Sequence, residues 1–449
     1  MPAKGNADSR VTTASAMFAG LAGLAIVANL AVAVGYLAFH DGAGRAAAAS
    51  SRPVAGALSA PSVATVNALL QRRSRAVLAR DRAAFLATVD PSGQAFRAGQ
   101  QVLFDNLAKV PLSAWRESLA DTRPAVAADD GWTARLRLTY RLRGFDRRDL
   151  VYTEYLTFDR RPGTGWMVSG DGAAHGLRDD PQIWNSGGLT VVHGRRSLVL
   201  AEDGAVAGEL PAARTAELRD IAARLDEGVG AVSGVVGDRW ARHAVALVPA
   251  TEQKAEELAG DVRNLGDIAA LAAVTGDEGG QGTGEDRLVI TPTAFGRLTA
   301  LGRRVVLTHE LVHVAMGGAR DGKTPMWLIE GLADYVGYKK AGVPTRAAGR
   351  ELADLIATGG VPATLPGATE FAGSGDRLSA AYEEAWLACR MVAERYGEDR
   401  LVRLYRTAEA EPEDSGDPRL QDRALRSVLG VGTDRFVALW RAYVRRELA

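Results

Sequence analysis

The chain has 449 residues, 47% hydrophobic and 24% charged, enough apolar material for two or three packed domains and too much for a disordered chain. Lys+Arg and Asp+Glu both number 54, so the formal charge is zero, and with no basic block either the electrostatic footprint of a nucleic-acid binder is missing. A single cysteine, Cys389, excludes an internal disulfide, a cysteine-based zinc ribbon and an iron–sulfur site.

Residues 11–39 carry no charged side chain, and Met17 to Phe39 is mostly Ala, Leu, Val and Gly. At about 1.5 Å of rise per residue such a helix crosses a hydrocarbon core of roughly 30 Å. The run is longer than the apolar core of a typical cleaved signal, although Ala46 to Ala49 offers a small-residue cleavage site. The expectation is a cytoplasmic stub and single-pass anchor over residues 1–40, with the body outside the cell membrane; an Ala-rich buried helix is the alternative. Residues 41–61, rich in Ala, Gly, Ser and Pro, read as a linker.

Between residues 62 and 172 the pattern predicts a small α+β domain. Val63, Val66, Leu69, Leu70, Val77 and Leu78 recur at helical spacing, and Phe85 and Leu86 continue the run to the stop at Asp90-Pro91. From Trp132 to Arg143 apolar residues alternate with Thr and Arg, the signature of a strand with one wet face. Further strands are expected at Leu150 to Phe158 and around Trp166 to Val168. The arginine row is better explained as a solvated sheet face than as a binding stripe. Helices followed by an antiparallel meander resemble, in element order alone, the nuclear transport factor 2-like cone fold.

The rest of the chain, 185–449, reads as a second domain. Helices are expected at 211–227 and 251–273, strands at His243 to Val248 and Arg287 to Thr291, and a flexible loop at Gly276 to Gly284. Residues 309–313 then spell His-Glu-Leu-Val-His, a pattern expected by chance about 0.004 times in a chain of this composition. Leu298, Leu301, Val305, Val312 and Met316 make the context helical, and Gly317-Gly318 ends it. On a helix His309 and His313 share one face, one turn apart, and both imidazoles can reach one Zn2+ at about 2.0–2.1 Å. Glu310, rotated by about 100°, is placed to touch a water on that ion rather than to ligate it. A second apolar helix follows at Pro325 to Tyr335. Glu330 on it can complete a His2Glu set, and Asp334, one turn later, can accept the free ring N–H of a ligand histidine. The bland alternatives are two core histidines and a solvated acidic face. His40, His175, His193 and His243 have no partner motif and read as ordinary surface or strand residues.

His-Glu-x-x-His followed by Trp-Leu-Ile-Glu-Gly-Leu-Ala-Asp-Tyr resembles the gluzincin branch of the zincin metallopeptidases, and within it the peptidase-MA-like group. The metzincin pattern fails, because Met316 and Ala319 stand where it needs Gly and His. The resemblance implies a zincin-like domain with a mixed sheet and active-site helices, zinc on His309, His313 and Glu330, and Glu310 as the general base. Sixteen residues separate His313 from Glu330, slightly fewer than in the better-known members, with a tight connection at Gly317 to Pro325 to absorb the difference. It further implies that Leu288 to Thr291, before the active-site helix, is an edge strand that pairs with extended substrate. It also implies an oxyanion-stabilising tyrosine; Tyr382, in a helix running to Tyr396-Gly397 after a loop at Pro362 to Gly375, is the candidate, with core packing as its alternative. Cys389 and Trp386 read as core. The expected activity is membrane-anchored, zinc-dependent hydrolysis of a peptide or protein substrate. The rivals are an inactive zincin-fold binding or sensing protein and a hydrolase of a non-peptide amide. Nothing in the sequence indicates an oligomeric state.

Overall fold

The computed structural model describes residues 61–121, 126–128, 131–203, 211–260, 265–276, 284–317, 324–372, 375–410 and 418–448. Helix α1 (Val63–Ala79) starts at Ser62, whose hydroxyl accepts the Thr65 N–H, and ends at Arg80 in the left-handed region. Two further helices, α2 (Arg82–Leu86) and α3 (Gln94–Leu107), precede a five-stranded antiparallel sheet. Its strands are β1 (Leu112–Leu119), β2 (Val126–Ala128), β3 (Gly131–Leu142), β4 (Leu150–Arg161) and β5 (Gly165–Asp171), ordered β1-β3-β4-β5 with β2 on β3. The period-two pattern of β3 does what alternation requires. Leu136, Leu138, Tyr140 and Leu142 are buried against α1 and its neighbours, while the arginines face outward, where Arg141 pairs with Asp149 at 2.7 Å.

The second sheet is mixed: β6 (Leu189–His193), β7 (Ser197–Glu202), β8 (Ala244–Val248), β10 (Glu285–Ile290) and β9 (Ala270–Thr275), in that order. β7, β8 and β10 run parallel, and β6 and β9 close the two edges antiparallel. β7 and β8 are buried along their whole length, as parallel strands covered on both faces must be. Helix α4 (Ala212–Val236) lies on this sheet, and α5 (Glu252–Leu258) and α6 (Pro292–Arg297) flank it. An all-helical part follows: α7 (Ala300–Met316), α8 (Met326–Tyr338), α9 (Thr345–Ala348), α10 (Arg350–Gly359), α11 (Ala368–Phe371), α12 (Gly375–Tyr396), α13 (Glu398–Glu409), α14 (Pro418–Leu429) and α15 (Thr433–Leu448).

The two sheets are joined by buried polar contacts as well as by a shared apolar cluster that runs from Phe85 and Trp115 through Trp184 to β7, β8 and β10. The β3–β4 turn supplies Asp146, paired with the buried Arg287 of β10 at 2.6 Å, and the Arg147 and Arg148 amides, both donating to Glu285. Asn106 of α3 reaches the carbonyls of Trp184 and Gly187 and accepts from Leu189 N.

Three expectations need correction. No helix among the described residues is long and apolar enough to cross a membrane, and residues 1–60, where the anchor was expected, lie outside the described residues. The architecture is therefore a mixed α/β arrangement of two sheets and a helical part, and the single-span anchor and the cell-membrane location are withdrawn. The helix expected over 251–273 ends at Leu258, and Ala270–Thr275 is strand β9. An Ala-rich apolar run has no intrinsic strand preference, but six consecutive pairings with β10 outweigh its local bias. Consequently Leu288 to Ile290 belongs to an interior strand, not to the edge; the edge next to the helical part is β9.

Candidate metal centre

Helix α7 begins at Thr299, whose hydroxyl accepts the Gly302 N–H at 3.1 Å, and stops at Gly317 with φ of 69°. It carries His309, Glu310 and His313, all at most 5% exposed. Helix α8 starts after Pro325, whose fixed φ suits a helix entrance, and buries Glu330 completely. Three glycines let the neighbouring helices close in. A Cβ at Gly228 of α4 would meet Leu311 Cδ1 at 2.7 Å, and one at Gly337 would meet the Val305 carbonyl oxygen at 3.2 Å. One at Gly331 would overlap the Ala385 carbonyl oxygen and stand 2.8 Å from Cys389 Sγ, so α8 and α12 pack backbone to backbone beside Glu330.

The ring nitrogens His309 Nε2 and His313 Nε2 stand 3.0 Å apart. Glu330 Oε2 lies 3.3 Å from the first and 3.6 Å from the second. Ligands about 2.0–2.1 Å from a tetrahedral zinc are separated by about 3.3–3.4 Å, so these three atoms trace one face of such a polyhedron. Asp334 Oδ1 sits 2.8 Å from His309 Nδ1, so Nδ1 donates there and Nε2 is the ring atom beside His313 and Glu330. Glu310 is also near, its ligand atoms and those of the two histidines lying within 4.8 Å of one another. Its Oε2, however, accepts the Ala272 N–H of β9 at 2.9 Å, and its buried Oε1 has no hydrogen-bond partner among the described residues. Tyr382 of α12 is buried, its ring centroid 6.4 Å from that of His309 and 5.1 Å, edge to face, from Phe371 of α11.

The electrostatics follow from burial and pairing. Burial pushes the Glu310 carboxyl up to about 7, although His309 and His313 pull the other way. Asp334 is likewise raised by burial, with His309 opposing. For Glu330 burial is outweighed by His313 and then His309, and its carboxyl falls below the ordinary range. Burial would lower His309, yet the Asp334 carboxylate overrides it and holds the imidazole well above its usual value. Three acids and two imidazoles buried together are a donor set of the type that holds a divalent ion: two nitrogens and one oxygen, with a carboxylate behind one imidazole.

The five residues singled out on α7 and α8 thus meet in one place, with Tyr382 beside them. Reasoning from sequence missed Ala272, whose contribution is a backbone N–H with no side-chain signal, and Phe371, which lies in a stretch expected to be loop. The glycines carried a signal that was not used, since Gly331 directly follows a buried acid in an apolar helix.

Residues 282–354 match the family model described as BSP, peptidase of plants and bacteria. The matched span runs from before β10 through α7 and α8 to the first turn of α10. No curated protein sequence matches the chain. Among solved structures, a mutant M1 zinc metallopeptidase from Deinococcus radiodurans, bound to a Tyr-Ser-Ala substrate, is similar over 73% of this chain and 69% of its own, with 14% identity and a TM-score of 0.32. At that score the likeness informs neither fold nor chemistry. The family match supports a peptidase.

Proposed function

We propose that the protein is a zinc-dependent peptidase whose ion is held by His309 Nε2, His313 Nε2 and Glu330 Oε2. The observation that carries this reading is the triangle those three atoms form, with sides of 3.0, 3.3 and 3.6 Å. When bound there, zinc supplies a Lewis acid that polarises the scissile carbonyl and acidifies a water. Asp334 fixes the His309 tautomer and makes Nε2 a better donor. Glu310, whose Oε2 is held by the Ala272 N–H, is assigned to the water and not to the ion, and its carboxylate takes the proton of the attacking water and passes it to the leaving amine nitrogen. The Tyr382 hydroxyl is assigned to the developing oxyanion, a role supported by the place of its ring beside His309.

Glu310→Gln in the full chain tests the assignment. The expected result is about one zinc per chain, as in the wild type, with turnover of a mixed peptide library reduced by about 10²–10⁴. Undiminished turnover would remove Glu310 as the base. A wild-type chain that binds zinc tightly through four protein ligands and cleaves no peptide would turn the reading toward a structural site.

A further inference from the structure

The general base and the edge of the second sheet are tied together, and the tie falls on a donor that an incoming strand needs. β9 pairs only with β10 among the described strands, so its outer side carries no further strand; Ala270 there is buried, and Val274 is the exposed end. The parity of that edge is fixed by the ladder. Thr291 N donates to Ala269 O, and the register sets Ile290 opposite Ala270 and Leu288 opposite Ala272. In an antiparallel pair, residues that bond inward alternate with residues whose N–H and C=O point away. Ala269, Leu271, Ala273 and Thr275 therefore face β10, and Ala270, Ala272 and Val274 turn their backbone groups to the edge. The outward N–H of Ala272 is taken by Glu310 Oε2 at 2.9 Å. At the far end of the strand, Gly276 O accepts the Val151 N–H, so the first sheet closes the edge beyond Thr275. Val274, 36% exposed, lies just before that stop.

We propose that the Ala272 N–H is a latch that positions Glu310 in the ligand-free protein, and that an extended peptide seated on β9 releases it. The inference rests on the peptidase reading and adds a step to it. A peptide carbonyl placed opposite Ala272 accepts the same N–H, and one backbone donor cannot serve a carboxylate and a carbonyl at full strength. The exchange frees Glu310 Oε2 while the peptide is held, so both carboxylate oxygens are available when the water must be deprotonated and the amine protonated. Contacts made along β9 then act on the chemical step and not only on binding. Ala272 is a positioning residue: it acts through Glu310, by its backbone alone.

Two measurements on the full chain test this. Hydrogen exchange, followed after removal of metal with chelator, reads the latch without activity. The Ala272 amide is expected to exchange at least about tenfold faster in Glu310→Ala than in the wild type, with the inward-facing Ala273 amide unchanged. Equal protection of Ala272 in the two proteins overturns the proposal. Kinetics read the release: with zinc bound, wild-type kcat is expected to rise as peptides lengthen across β9. Ala272→Pro removes the outward donor at a position where an edge strand tolerates proline. It should flatten that dependence while KM rises, and a kcat that still climbs with length in this variant sinks the release step. If Ala272→Pro fails to fold, exchange decides the latch and the wild-type series decides the release: a kcat that does not rise as peptides lengthen across β9 sinks that step. Amide protection that behaves as expected in a chain that cleaves no peptide supports the latch and refutes the peptidase reading.

Discussion

Two regions of this molecule bury charge, and they do it differently. Inside the first sheet Arg73 and Glu117 are both essentially unexposed, 3.1 Å apart, with the Gln100 carbonyl also accepting from the guanidinium and the Phe85 ring beneath it. Glu154 lies close by. Burial and the neighbouring Glu117 push its carboxyl far up, against the pull of Arg73. One permanent cation meets one anion and the account closes within the protein. Between α7 and α8 the buried acids instead meet imidazoles, whose charge depends on a proton. Two of those imidazole nitrogens and one carboxylate oxygen point at a common place. A buried cluster that carries its own arginine is complete; one whose positive charge rests on imidazole protons is compatible with a metal cation in place of a proton.

The largest effect that sharpens the contrast is at the second region. His309→Ala and His313→Ala should each take zinc from about one per chain to near none by elemental analysis, and peptide turnover should fall by more than about 10³. Retained zinc in either variant would break the triangle of ligands. At the first region the expected loss is in stability, not activity. Glu117→Ala leaves a buried guanidinium uncompensated and should cost about 3–5 kcal/mol in urea unfolding, whereas the joint change Arg73→Met with Glu117→Leu should be near neutral or stabilising. If the double variant folds normally and loses turnover, the first cluster has a chemical role beyond stability. A smaller effect is expected of Asp334→Asn. It keeps the shape but can leave His309 in the wrong tautomer, and zinc affinity measured by chelator competition should fall about 10–100-fold.

The difference between the regions also explains what the sequence could reveal. The His309, Glu310, His313 set is legible because a helix converts a spacing of four into a shared face, and Glu330 because it repeats that logic on a second apolar helix. Arg73, Glu117 and Glu154 come from a helix and two strands with 43 and 36 residues between neighbours along the chain, and no local period links them. The alternation in β3 and the runs of β4, β8 and β10 were readable for the same reason as the motif: each is a local pattern. β9 was not, because Ala-Leu-Ala-Ala-Val-Thr is chosen as a strand by its pairing with β10 and not by its own residues. The edge that would meet a peptide is therefore expected one strand too late along the chain, on β10 instead of β9. The apolar run of residues 11–39 is a different case: it is plain in the sequence, but it lies outside the described residues and the anchor read from it is withdrawn.

A third buried acid stands between the two cases and gives the smallest prediction. Glu383, next to Tyr382 on α12, has neither an arginine nor an imidazole. Its oxygens accept the N–H groups of Glu351 and Leu352 at the start of α10, at 3.4 and 2.6 Å, and its carboxyl also faces that of Glu351. Burial, then the Glu351 carboxyl, push it up to about 10. Glu351 in turn is held below the ordinary range: burial is outweighed by its hydrogen bond with Glu383 and by Arg350. The pair thus shares one proton, carried by Glu383. Because the folded-state value lies above the unfolded one, this proton stabilises the fold fully below about pH 4.5, and the contribution is lost as pH rises toward 10. Glu383→Gln mimics the protonated acid, its amide donating to Glu351 and its carbonyl accepting from Leu352. In urea unfolding at pH 5, 7 and 9 the variant should gain on the wild type at each step, by at most about 1.4 kcal/mol per pH unit. Profiles that stay parallel across that range would mean Glu383 is ionised in the fold, and that buried acids here do not need a positive partner.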